Sequence, residues 1–199
     1  PTTKDGAPTE KAQRNFTDPE SRIMERGGSF LQGYNCQAAV DGEHQIIVAA
    51  DASNQSPDNG NLVPMLEQVR ANCGQAAVVA TADSGYWAAA VPDACRELGT
   101  EPYIATERRR HWDHDDTVTD GPCESEDPRE AMRWKLRSAE GREIYAKRKS
   151  IVEPVFGQIK EARGVRRMML RGLEAVQAEW QLICLSHNLL KIFRNQVVV

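Results

Sequence analysis

YAKRKSIVEPVFGQIK, Tyr145 to Lys160, is the stretch on which the reading of this chain turns. It has no helix-breaking glycine before Gly157, and its apolar residues recur at helical spacing. At about 100° per residue, Tyr145, Lys149, Val152, Glu153, Phe156 and Lys160 fall on one face about 100° wide. Val152 and Phe156 are expected to anchor that face to the body, with Glu153 at the edge of the buried stripe. Lys160 lies about 20° round from Glu153 and about two turns further on, and Arg148 flanks the same stripe. A carboxylate among cations stays ionised and can hold a metal, while the cations meet phosphates. A Lys149–Glu153 pair at i, i+4, worth tenths of a kcal/mol, explains the same spacing.

Upstream, Tyr34 to Val40 alternates in the manner of a strand, Asp41-Gly42 is a favoured hairpin turn, and Gln45 to Ala50 reads as the returning strand. Leu62, Met65, Leu66 and Val69 mark a helix over Leu62 to Asn72, stopped at Gly74. The apolar run Ala76 to Ala82 suits a strand covered on both faces. It ends at Asp83-Ser84-Gly85-Tyr86. An acidic residue just past a strand's carboxyl end is well placed to bind a ligand or metal, and is equally a cap for the helix expected over Trp87 to Leu98. Pro102 to Ala105 reads as a short strand. Residues 107–128 form a charged insertion, Glu130 to Gly141 a helix, Arg142 to Ala162 a strong helix, and Gly172 to Phe193 a more apolar one. Trp180 shares a stripe with Ile183, Cys184 and Leu190 and is expected in the core. The order predicts an α/β fold, a mixed sheet with helices packed on it.

The 199 residues suffice for one domain with a core. No run of about 18 apolar residues is present, so no membrane span is expected. Residues 1–28 are polar and read as a linker or arm, leaving 29–195 as the domain. The five cysteines are scattered and show no CxxC spacing, which argues against a zinc ribbon or disulfide framework and fits a reducing cytoplasm. His111 and His114 resemble a metal pair only superficially, with no nearby cysteine. The net charge of -4 hides a division. Asp113 to Glu130 holds eight acidic residues and one Arg, whereas Arg142 to Arg171 holds nine Lys or Arg and three Glu. Local positive charge is what a phosphate-binding surface requires.

Taken together, these pieces resemble the insertion-sequence DDE transposases of bacteria that carry a Tyr-Arg-Glu-Lys signature. Tyr145, Arg148, Glu153 and Lys160 match the signature in order. ADSGY around Asp83 is similar to the family's second catalytic Asp. Gly33 to Asp41 (GYNCQAAVD), the FGQIKEARG run and RGLEAVQAEWQLICLSHNLLK match the same subgroup. The resemblance covers about residues 14 to 193. The gap from Arg148 to Glu153 is one residue longer than usual, so Arg148 or Lys149 takes the Arg role.

The resemblance implies a ribonuclease-H-like domain that hydrolyses phosphodiesters and transfers DNA strands with Mg²⁺ (or Mn²⁺). Asp83 and Glu153 would bind metal; Tyr145, Arg148, Lys149 and Lys160 would contact DNA. DNA ends and target would be the partners, and a homodimer is expected. The family's first catalytic Asp sits on the first strand of the core, ahead of the hairpin. Nothing before Tyr34 resembles that strand, and Asp18 and Asp51 are poor substitutes. The sheet is therefore expected to lack its first strand, with that Asp encoded upstream, and the chain alone to bind metal poorly. A non-transposing nuclease of the same fold and a catalytically dead DNA-binding remnant are the competing readings.

Overall fold

A computed structural model describes residues 14–26, 28–108, 118–121 and 123–196. The His111–His114 pair and residues 109–117 of the expected insertion lie outside them. Six strands and five α-helices follow in the order β1 (Arg22–Arg26), β2 (Ser29–Gly33), β3 (Asn35–Val40), β4 (Ile47–Ser53), α1 (Leu62–Cys73), β5 (Val79–Ala82), α2 (Val91–Glu97), β6 (Glu101–Ile104), α3 (Pro128–Arg137), α4 (Ala139–Gly157) and α5 (Leu173–Gln196). The mixed helix and strand content is that of an α/β protein.

The strands form three two-stranded ladders, not one continuous sheet. β1–β2 and β3–β4 are antiparallel hairpins; β5–β6 is parallel, joined through α2. A parallel pair needs such a crossover. Ala39 pairs with Ala49 but Val40 pairs with Ile47, so the β3–β4 register slips by a residue. That irregularity reverses the inward face of β4. Ala49 packs on Met65 and Val69 of α1, while Ile47 joins Val155, Ile159, Trp180 and Cys184 on the other side. A third cluster, Leu62, Leu66, Ala82, Val91, Cys95 and Ile104, seals α1 and α2 against the β5–β6 ladder.

The strand expected to be covered on both faces is not. β5 begins three residues later than predicted, and Val78 is 82% exposed. Among the described residues only its β6 side is paired. The strong helix expected over Arg142 to Ala162 also differs. It starts at Ala139, where Ser138 Oγ accepts from the Gly141 amide at 3.0 Å and caps it. It contains Pro154 and gives way to a π-helical turn over Gln158–Ala162. Its most buried residues are Val155 and Ile159; Val152 and Phe156, the expected anchors, are only half-buried. Trp180 is buried as its stripe predicts. Its ring stacks on Phe156, centroids 6.0 Å apart, and its indole N–H donates to the Gln37 carbonyl at 2.7 Å.

Residues near the amino end fasten the start of α5. Asp18 Oδ1 accepts from Tyr34 Oη at 2.6 Å and from the Gly172 amide at 3.3 Å; Glu20 Oε2 accepts from the Leu173 amide at 2.8 Å. These carboxylates satisfy amides that a helix start leaves open, where negative charge is favoured. Burial and the Asp18 carboxylate push the Tyr34 phenol well above its usual range.

Candidate active site

β3 and β5 each use one edge for pairing, and their other edges line a common groove. Every residue of β3 and the whole run Ala76 to Asp83 border it, with a volume of about 840 Å³. Contacts across the groove run in opposite order along the two strands. Tyr86, beyond the end of β5, donates its hydroxyl to Gln37 Oε1 near the start of β3. Ala77, before β5, packs in the same cluster as Ala39 near the end of β3. The α1 residues Leu62, Met65, Leu66 and Val69 border the groove, as do Arg148, Val152, Phe156 and Lys160 from α4 and its π turn.

Asp83 stands where β5 leaves its ladder. Its Oδ1 accepts from the Gly85 amide at 2.9 Å, capping the 3₁₀ turn Ser84–Tyr86. Asp83 thus caps this turn and not the helix that follows, which begins later, at Val91, with Ala90 at its N-cap. Asp58, in the loop before α1, meets Asp83 here. A Cβ built on Gly85 would lie 2.8 Å from Asp58 Oδ2 and 3.1 Å from Asp83 Oδ1. Both oxygens crowd the place that a side chain at position 85 would take.

A network fixes Asp58. Its Oδ1 accepts from Asn35 Nδ2 at 2.6 Å and from Gln37 Nε2 at 2.8 Å. Gln37 is 5% exposed, and Gln37 Nε2 also reaches Asn35 Oδ1 at 2.8 Å. Burial, then Asp58, then Asp83, hold the Tyr86 phenol above its ordinary range. Asp58 was not singled out from sequence, because NQSPDNGN reads only as a polar loop. Its one local signal is position, four residues before the start of α1.

Of the residues expected at the site, Asp83, Arg148 and Lys160 line the groove. Lys160 Nζ lies 4.9 Å from the centre of the Phe156 ring, and the Arg148 guanidinium 5.5 Å from that of Tyr145. Arg148 Nε is buried and has no hydrogen-bond partner among the described residues. Lys149 and Glu153 are exposed and are not among the lining residues, although Val152 and Phe156 are. They do not pair with each other; the i, i+4 pair on this helix is Lys147–Glu143, at 2.9 Å.

Residues 5–189 match the profile of the Transposase DDE domain family. The chain belongs to that family. No curated protein and no solved structure gives a match. Membership supports a role in DNA transposition, which fits the cationic groups along the groove. Members of the family generally use a divalent metal, and the donor set fits one. Mg²⁺ is held through one or two carboxylates together with waters and substrate phosphates, and oxygens of two carboxylates approach the cradle over Gly85. Among the described residues, no three His, Cys, Asp or Glu side chains group closely enough to hold a metal by themselves. None of the helices is long and apolar enough to cross a membrane, among the same residues.

Proposed function

We propose that this chain is the larger part of a ribonuclease-H-like catalytic domain that cuts and rejoins DNA phosphodiesters. The observation that carries the reading is the groove between β3 and β5. Among the described residues its two walls are strand edges with backbone groups available for a ladder, and unpaired backbone groups favour a pairing partner. One extended strand, antiparallel to β3 and parallel to β5, would join two ladders into one mixed sheet. It would also pass the end of β5, where a third carboxylate could stand beside Asp83.

In this reading Asp83 and Glu153 hold Mg²⁺ (or Mn²⁺), the second with movement of α4 or on engaging DNA. When bound, the metal supplies Lewis-acid stabilisation of the attacking and leaving oxygens. Arg148 and Lys160 hold the phosphate backbone in the groove, and Tyr145 and Lys149 extend that contact along α4. Such contacts position DNA without reading its sequence. The protein acts as a homodimer in the cytoplasm, one copy at each DNA end.

The test is Mg²⁺-dependent nicking of DNA. The chain alone is expected to be inactive. A form extended through any in-frame upstream coding sequence that supplies an Asp-bearing strand is expected to cut, and Asp83→Ala or Glu153→Ala to abolish it. Cutting by the chain alone that vanishes in Glu153→Ala overturns the incomplete-sheet reading; activity of the extended form indifferent to both substitutions overturns the site. A DNA-binding remnant that does not cut is favoured by the lack of a three-ligand group among the described residues. That reading predicts salt-dependent DNA binding with no cleavage by either form. Joining of cut ends separates a transposase from a nuclease of the same fold.

A further inference from the structure

Asp58 is held in a manner that a loop carboxylate does not need. Two side-chain amides, Asn35 Nδ2 and Gln37 Nε2, both donate to the same oxygen, Oδ1. Those amides come from β3, and Gln37 is itself anchored from the far side of the groove by Tyr86. Oδ2 accepts no hydrogen bond from a described residue, and lies against Gly85, where Asp83 Oδ1 also approaches. The arrangement uses one oxygen to fix direction and leaves the other beside Gly85, close to a second carboxylate.

Two carboxylates gathered at one glycine repel unless a proton or a cation lies near both. The position between them is kept clear by Gly85, the one residue type that adds no Cβ there. Asp58 borders the groove and also a neighbouring cavity that Lys160 and Arg166 line. Phosphates drawn to those cations would pass it.

We infer that Asp58 is a metal-binding carboxylate of the Asp83 site, presenting Oδ2 to the same divalent cation. This rests on the metal-dependent reading above and adds to it a ligand that neither the signature helix nor the ADSGY motif contains. The cation expected is a hard one that accepts oxygen donors, Mg²⁺ or Mn²⁺.

The experiment is an Mn²⁺ titration of the isotopically labelled chain, following paramagnetic broadening of backbone amides by NMR. The Gly85 amide, bonded to Asp83, is expected to broaden earliest. Asp58→Asn keeps an acceptor for Asn35 and Gln37 and removes only the charge, so the network should persist and thermal unfolding should change little. It is expected to weaken Mn²⁺ binding by about tenfold or more, as is Asp83→Asn. Unchanged broadening in Asp58→Asn, with loss in Asp83→Asn, overturns the role of Asp58 and leaves the Asp83 site standing. Absence of broadening near Gly85 in the unsubstituted chain at millimolar Mn²⁺ overturns both. If Asp58→Asn unfolds the chain, Gly85→Ser provides the second reading. Its side chain must occupy the cradle, and Mn²⁺ binding that survives it in a folded protein counts against a shared ion.

Discussion

Gln45 donates its side-chain amide to the Ser150 carbonyl at 2.9 Å, the acceptor whose intrahelical amide Pro154 removes. Proline in a helix costs the bond to residue i−4, and here a residue more than a hundred positions earlier replaces it. Gln45 does so from a left-handed backbone, φ 57, while its Oε1 accepts from Lys191 Nζ at 2.9 Å and its carbonyl from His187 Nε2 at 3.1 Å. The turn between β3 and β4 thereby locks α4 and α5 together, next to Glu153.

This coupling can be measured. Gln45→Ala should cost about 1 kcal/mol or somewhat more, given the usual net worth of such hydrogen bonds. Pro154→Ala restores an amide for Ser150, so Gln45→Ala should cost less in that background. The backbone strain at position 45 is common to both arms and cancels. Urea unfolding of the four proteins gives the coupling, expected at roughly 0.5–1 kcal/mol. Additive effects would show that Gln45 does not serve the Ser150 carbonyl.

His187-Asn188 reads in sequence as part of a family-like stretch without a chemical role, and its role is structural. Asn188 Oδ1 accepts from the Ile47 amide and Nδ2 donates to the Ile47 carbonyl, both at 2.8 Å. This pairs α5 with the first residue of β4, where the register slips. Asn188→Ala leaves both Ile47 groups unpartnered and should destabilise the protein by about 1–3 kcal/mol. Asn188→Asp, which keeps the acceptor and loses the donor, should still destabilise. Equal thermal stability in all three proteins would dismiss the clamp.

The neighbouring His187 makes stability depend on pH. It is 1% exposed, and because a carbonyl only accepts, Nε2 carries the hydrogen donated to Gln45. Burial holds its pKa below the ordinary value, with the hydrogen bond opposing and Lys191 and Arg163 assisting. The unfolded chain therefore takes up a proton near pH 6.5 that the folded chain resists. The contribution is intact above about pH 6.5 and is lost as pH falls through the depressed folded value. In His187→Gln, which cannot titrate, the fall in Tm between neutral and mildly acid pH should be shallower than in the parent.

Several elements were legible because their signals are local. Leu62, Met65, Leu66 and Val69 are all buried along α1, and Gly74 ends it at φ 71. The β3–β4 hairpin was visible in the alternation around Asp41-Gly42, although β4 begins at Ile47 because Gln45 is held elsewhere. What could not be read depends on partners distant in sequence. Nothing in Asp58 announces Gln37 or Gly85, and nothing in Ala76 to Ala82 says that one edge stays open. Nor does the run after Arg142 reveal a start at Ala139 or a π turn at Gln158. The first is set by a serine cap and the second by packing around Ile159.

Gly141 explains that early start and supplies a stringent test of it. A Cβ there would lie 2.0 Å from the Lys135 carbonyl oxygen and 2.9 Å from its carbon, with Leu136 Cα at 3.1 Å. These are backbone atoms of α3, so no side-chain rotation relieves the clash. Ser138 separates the two helices, and only a residue without Cβ lets α4 turn so tightly against α3. Gly141→Ala improves helix propensity by about 1 kcal/mol in an unconstrained helix, so propensity alone predicts stabilisation. The corner predicts the reverse, a loss of about 3 kcal/mol or more as α3 and α4 are forced apart. Denaturant unfolding decides the sign. If the substitution stabilises the protein, the close α3–α4 corner is not part of the folded state. If it destabilises, the position of α4, and with it Arg148 and Lys160 beside the groove, depends on a glycine seven residues before the first of them.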